Sequence, residues 1–214
     1  MKVSQFQYLK QLEVNIYNNM KKLLFISFLL PLFVFGQALQ PRDSVYIKTD
    51  IFEAVYSEVL QQPKFVSYLV QCPDGSASRK GMDFYSVNGV ITSDNLDYIS
   101  NVWDKGHMAP AADFNCTREM LFQTFSYINC ALQHERLNRG VWRILEQHER
   151  ELASQYSVRV QIRVVYGPNA EVLPTGATVP TGFYKTIRYN DKVEKYYFPN
   201  ISPTKSSYSD YLIQ

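Results

Sequence analysis

Long apolar runs, cysteine, histidine and an excess of either charge are all scarce in this sequence. The most apolar stretch, Leu23–Phe35, holds thirteen residues, short of the roughly 20 that a helix needs to cross a bilayer. Stable membrane insertion is therefore not expected. Nine glycines and ten prolines in 214 residues exclude a fibrous or low-complexity chain. Three cysteines, none in a C-x-x-C pair, and three histidines leave no cysteine–histidine set at zinc spacing, which argues against a structural zinc site. What the chain does have is a core: 46% of residues are hydrophobic and 20% charged, so wholesale disorder is excluded. Sixteen Tyr and thirteen Phe suit a β-rich fold with broad half-buried surfaces.

The formal charge of +2 misleads. Residues 1–36 carry Lys2, Lys10, Lys21 and Lys22 against the single acid Glu13; without them eighteen basic and nineteen acidic side chains remain, a net of −1. From Met20 the chain reads MKKLLFISFLLPLFVFGQ, with Lys21 and Lys22 as a charged start and Leu23–Phe35 as the apolar run. Val34 and Gly36 are small residues before a cut ahead of Gln37. This is the pattern of a secretory signal peptide. The expected organisation is an over-extended start at 1–19, a signal peptide at 20–36 and a single domain at 37–214, secreted or periplasmic after cleavage. In that oxidising setting one disulfide and one spare thiol are expected, with Cys116–Cys130 as the pair. A mature charge near zero provides no global positive field, so binding to nucleic acid would need a local patch.

Along 37–214 no repeat or linker appears. Leu39–Asp50 reads as a polar lead-in. Phe52–Val59 and Phe65–Gln71 read as short strands, with Pro63 breaking one from the other. Cys72–Lys80 is turn chemistry, and Asn88-Gly89 a tight turn. Phe125–Ala131 looks like a buried strand. Asn138–Gln155 has helical periodicity, with Val141, Leu145, His148 and Leu152 on one side. Ser157–Tyr166 alternates apolar and polar residues as a strand with one polar face, ended by Gly167-Pro168. Phe183–Arg188 and Lys195–Phe198 read as strands joined at Asn190-Asp191. Several strands with one principal helix predict an α+β fold built on a mainly antiparallel sheet.

Two stretches carry chemistry: DKGHMAPAADF at Asp104–Phe114 and NCALQHERLNRGVWRILE at Asn129–Glu146. His107 can take a proton near neutrality, and Gly106 lets the backbone approach something closely. On its own, His107 could equally be a core histidine. Asn138 and Glu146, eight residues apart on a regular helix, would differ by roughly 80° and ~12 Å. At that spacing one would ligate a cation directly and the other through water. Asn138 is also a favoured helix cap, and Glu146 alone would pass for a surface acid.

Taken together, these stretches resemble the DNA/RNA non-specific endonucleases, the ββα-metal nucleases that include endonuclease G. The resemblance rests on Asp104, Gly106, His107, Pro110 and Asp113, then Asn129 and Gln133, then Leu137, Asn138, Gly140, Trp142, Leu145 and Glu146. Gly167-Pro168 and Phe198-Pro199-Asn200 follow in order. It implies a ββα-metal motif with His107 on the strand side and Asn138 on the helix. His107 would be the general base, Asn138 the one direct protein ligand of Mg²⁺ (with Mn²⁺ as a substitute), and Glu146 would act on the ion through water. Arg79 would neutralise the scissile phosphate, and Lys105, Asn129 and Gln133 would touch substrate or support the site. DNA and RNA would be the substrates and 5′-phosphorylated fragments the products. Lys105 stands where the family has Arg, and Leu132 where it has Pro. The chain ends at Gln214, where members usually continue with a further strand and helix. The competing readings are a non-catalytic nucleic-acid-binding relative and another metallohydrolase; the latter would want several clustered carboxylate or His ligands.

Overall fold

The computed structural model describes residues 40–213, and those from Pro41 on form one compact unit. The segments 1–19 and 20–36 lie outside the described residues. Six strands form one antiparallel sheet in the order β1-β2-β3-β6-β7-β8: β1 (Val45–Lys48), β2 (Phe52–Ser57), β3 (Gln62–Leu69), β6 (Arg159–Val165), β7 (Gly182–Tyr189) and β8 (Lys192–Pro199). A separate hairpin pairs β4 (Trp103–His107) with β5 (Cys130–His134). Two helices are long enough to label, α1 (Arg118–Gln123) and α2 (Arg143–Ala153). The fold is therefore α+β with a mainly antiparallel sheet.

Strict alternation makes β6: Val160, Ile162 and Val164 are buried on one face while Arg159 and Arg163 stay exposed on the other. The β7–β8 turn is closed by Asn190 and Asp191, both at left-handed φ (40° and 59°), the geometry of a two-residue hairpin loop. Only the inner face of the sheet meets the core. Trp142, at the start of α2, packs between Phe183 and Phe198 with ring centroids 5.4 Å from each. Leu145, Ile162 and Ile187 are fully buried around it.

The small hairpin is pinned to the large sheet by buried amides. Leu132 N donates to Gln62 Oε1 at 2.9 Å. Asn200, the last residue of the Phe-Pro-Asn run, accepts from His134 N at 2.8 Å and donates to the carbonyls of Leu132 and Pro180. These bonds supply partners for edge groups that burial would otherwise orphan.

Several local expectations are corrected. Pro63 sits inside β3, not between strands, because a register shift at Val55/Tyr56 sets it opposite Tyr56, and bulges tolerate proline. The polar lead-in contains β1, whose outer positions Tyr46 and Lys48 are exposed. Residues 127–129 form a tight helical turn, and the strand begins only at Cys130. The disulfide joins Cys72 to Cys116, with 5.4 Å between Cα atoms, not Cys116 to Cys130. Cys72 N donates to Asp113 O at 2.9 Å, which brings the 72–80 loop to Cys116. Cys130 is a free thiol buried in β5, 3.3 Å from the Tyr98 hydroxyl.

Candidate active site

His107 is the last residue of β4, opposite Cys130. Gly106 precedes it for a steric reason: a Cβ there would lie 2.4 Å from Gln133 Oε1 and 2.6 Å from Gln133 Cβ. Directly after His107 the chain is clamped by Asn129. Its side chain accepts from Ala109 N at 2.7 Å and donates to Ala109 O at 2.8 Å and Thr124 O at 3.0 Å. The imidazole packs against the rings of Phe84 and Phe125, at 4.9 and 5.1 Å between centroids. Among the described residues its buried Nε2 has no hydrogen-bond partner. Burial, with the Arg79 charge nearby, lowers its pKa to about 4, so the ring is neutral at pH 7 and free to accept a proton.

The helix facing the hairpin is irregular where the sequence predicts a regular one over 138–155. A short turn at Glu135–Leu137 is capped by His134, whose Nδ1 accepts from Arg136 N at 3.2 Å. Asn138–Trp142 then widens into a π-type turn in which Gly140 leaves helical geometry (φ −101°, ψ −120°), and regular helix resumes at Arg143. Such widened turns occur often at functional sites. Asn138 is thus not an N-cap, and the regular-helix spacing between it and Glu146 does not apply. Its amide nitrogen donates to Asp104 Oδ2 at 2.9 Å, while Arg139 grips the same carboxylate at 2.8 and 2.5 Å. With Nδ2 engaged, Oδ1 is left as the amide's free acceptor.

Glu146, on α2, is half-buried, and its pKa is pushed up to about 7, chiefly by burial, with Lys185 pulling down and Glu149 pushing up. Beneath it lies a fully buried pair, Lys185 Nζ and Glu149 Oε1 at 2.5 Å. The Tyr68 hydroxyl donates to Glu149 at 2.6 Å. Asp113, buried completely, accepts from Arg150 at 2.9 Å and so aims that guanidinium.

Arg79, Asp104, His107, Asn138, Arg139, Arg143, Glu146 and Arg150 converge on one open cleft of about 570 Å³. Four guanidiniums against two carboxylates make this the local positive patch that the near-neutral chain requires. Arg79 is exposed, but its neighbours are held: Arg118 donates to the carbonyls of Ser78 at 2.9 Å and Lys80 at 3.2 Å. Motif reading does not name Arg139, Arg143 and Arg150; the signal that could find them is their recurrence on the Glu146 side of the predicted helix.

Three expected contacts do not reach the cleft. Lys105 points into an aromatic pocket, its ammonium 5.0, 5.5 and 5.7 Å from the ring centroids of Phe84, Tyr127 and Tyr98, and it donates to Asn95 Oδ1. Asn129 and Gln133 are fully buried, which leaves them no surface for substrate. Asn129 shapes the backbone after His107, and Gln133 fills the space over Gly106.

Among the described residues no group of three or more His, Cys, Asp or Glu side chains is placed to hold a metal. With the Asp104 carboxylate taken up by Asn138 and Arg139, the donors left are the Asn138 amide oxygen and the Glu146 carboxylate. They fit a hard cation that keeps most of its waters, not one that demands a protein cage.

Fold and site together define an α+β domain in which a β-hairpin and an irregular helix face each other across an arginine-lined cleft. The chain belongs to the DNA/RNA non-specific endonuclease family, whose model matches residues 33–213. It is 37% identical over 131 residues to the mitochondrial nuclease EXOG of Danio rerio, covering 53% of this chain and 37% of that protein. It is 29% identical over 128 residues to mitochondrial endonuclease G of Bos taurus, covering 53% and 43%. The matched region is less than half the length of these relatives. Among solved structures, a chain of an EndoG/EndoGI complex superposes with a TM-score of 0.72 at 25% identity, covering 79% of this chain and 80% of that one.

Proposed function

We propose that this chain is an exported endonuclease that hydrolyses phosphodiester bonds of DNA and RNA with little sequence preference and leaves 5′-phosphates. The observation that carries the reading is the pairing across one cleft of a neutral imidazole without an internal hydrogen-bond partner, His107, and an amide whose nitrogen is already committed, Asn138. The first is a base with nothing to deprotonate inside the protein. The second is an oriented oxygen with nothing to accept from.

In this mechanism the scissile phosphate lies among Arg79, Arg143 and Arg150, whose charges offset those of the phosphate and of the transition state. His107 takes the proton of the attacking water. The Asn138 oxygen would hold Mg²⁺, with Mn²⁺ as a substitute, and the ion would supply Lewis-acid stabilisation of the charge developing on the phosphate and leaving oxygens. Asp104 fixes the Asn138 amide, as outer partners of metal ligands commonly do. Glu146, when ionised, accepts hydrogen bonds from water in the cleft and orients it. A cleft that grips phosphates through its arginines reads no bases, so backbone contact without sequence readout is the reading.

Export is proposed on residues 20–36 alone. The relatives named above are mitochondrial, but residues 1–36 contain no arginine, whereas mitochondrial presequences are Arg-rich. Among the described residues no helix is long and apolar enough to cross a membrane.

The test is incubation of residues 37–214 with plasmid DNA and with RNA, with Mg²⁺ and with EDTA. Cleavage of both polymers, abolished by EDTA, is the expected result. Binding without cleavage under every metal condition would establish a non-catalytic relative instead.

A further inference from the structure

The outer face of the six-stranded sheet is built unlike a solvent face that only has to be soluble. Cross-strand pairing sets Arg159 directly opposite Arg188, and Arg163 opposite Tyr184, which is in turn opposite Tyr197. Lys195 lies two residues along β8 on the same face. The four cations are exposed, and none makes an ion pair among the described residues. Like charges directly opposite each other destabilise a sheet, so the Arg159–Arg188 pair works against the fold. The outward strand positions carry one acid, Glu53, and Lys48 already neutralises it at 2.9 Å.

Beside these charges lie two half-buried tyrosine rings, tilted 40° to each other. The Arg163 guanidinium stacks on the Tyr184 ring at 4.3 Å from its centroid, and Tyr184 lies 4.7 Å from Tyr197. Tyr197 in turn lies down across Gly182: a Cβ there would come within 2.9 Å of a Tyr197 ring carbon. Glycine at that position lets the ring rest on the sheet with its other side outward. Unpaired cations next to outward-facing rings match the chemistry of single-stranded nucleic acid, whose phosphates take arginine and whose bases stack on aromatic rings.

We propose that this outer face is a docking platform for single-stranded nucleic acid, on the opposite side of the sheet from the helix that carries Glu146. It rests on the nuclease reading only for the choice of a polynucleotide as the polyanion. A strand held there stays near the cleft along its own length, which raises the local substrate concentration. Long polymers therefore gain from the platform, and oligonucleotides too short to reach both surfaces do not.

The experiment uses the full chain carrying His107→Ala, which prevents turnover, and fluorescence anisotropy with a labelled 30-nucleotide single strand. Arg163→Gln/Arg188→Gln is expected to weaken binding at least tenfold. It should also flatten the dependence of log Kd on log salt by about 1.4, because each phosphate that is no longer neutralised removes about 0.7 from the slope. Tyr184→Ala/Tyr197→Ala is expected to weaken binding about tenfold with the salt slope kept. Arg188→Gln alone relieves a like-charge repulsion, so its melting temperature should not fall, and melting curves of both double variants separate lost binding from lost folding. In the His107 parent, the arginine pair should raise KM for long single strands and leave 8-nucleotide substrates unchanged. Unchanged affinity in both double variants would overturn the platform, and so would duplex binding equal to single-strand binding and insensitive to the tyrosines. Failure of the nuclease reading shows separately, as a parent protein that binds the strand but never cuts it.

Discussion

Asn138 and Asp104 share a hydrogen bond of 2.9 Å from the amide nitrogen to the carboxylate, and that bond decides which atom of Asn138 faces the chemistry. Arg139 donates to both oxygens of the carboxylate, so the amide is fixed by a group that is itself fixed. Asp104→Ala should free the amide to rotate and lower Mg²⁺ affinity or activity roughly 10–100-fold, the usual effect of losing an outer partner. Arg139→Ala keeps the Asn138 bond and should cost less. Activity measured against Mg²⁺ concentration for the two variants checks the order.

Glu146 gives a stability prediction with a definite sign. Its folded pKa, about 7, lies above the unfolded value of roughly 4.3. Between those values the folded state holds the extra proton, so this group's contribution to stability falls as pH rises from about 4.3 to 7 and is flat beyond. Glu146→Gln mimics the protonated form. It should melt at the parent's temperature near pH 4 and above it at pH 8. His107 acts oppositely: its folded value of about 4 lies below the unfolded value of roughly 6.5, so its contribution is lost as pH falls through that window. Melting curves from pH 4 to 8 for the parent, Glu146→Gln and His107→Ala separate the two slopes. A Glu146→Gln protein less stable than the parent at pH 8 contradicts the assignment.

The Cys72–Cys116 disulfide closes a loop with a sequence separation of 44 and ties the Arg79 segment to the chain just after Asp113. A loop of that size corresponds to about 4 kcal/mol of stabilisation in the chain-entropy model. Cys72→Ser/Cys116→Ser should melt well below the parent and, at temperatures where it remains folded, lose activity because Arg79 is less well held. Cys130→Ser should do neither. Thermal melts with and without a dithiol reductant, paired with rates at low temperature, test this.

Much of the molecule was legible in residue order, where a single face decides the outcome. The alternation of Val160, Ile162 and Val164 with arginines gave β6, and Asn190-Asp191 gave the β7–β8 turn. The Asp104–Glu146 stretches named the side chains that meet in the cleft: Asp104, His107, Asn138 and Glu146. What residue order hid depends on contacts distant in sequence. Gly140 carries no sign that the helix widens there. Lys105 looks like a phosphate ligand until Phe84, Tyr98 and Tyr127 are seen around it. The disulfide partner of Cys116 follows from backbone bonds that draw the 72–80 loop to Asp113–Asn115, which no spacing rule contains. Arg150 became visible only once Asp113 was seen to hold it.

Asn138 as the cation's protein ligand and His107 as the base are tested together by titrating activity against Mg²⁺ for the parent, Asn138→Ala and His107→Ala, with thermal melts on the same samples. His107→Ala should lose about 10²–10⁴-fold in turnover with its Mg²⁺ midpoint in place. Asn138→Ala should shift that midpoint upward at least tenfold and regain rate at high Mg²⁺, with a melting temperature near the parent's because His134, not Asn138, caps the helical turn. An Asn138→Ala protein with an unshifted Mg²⁺ midpoint and a lowered melting temperature would contradict the ligand assignment.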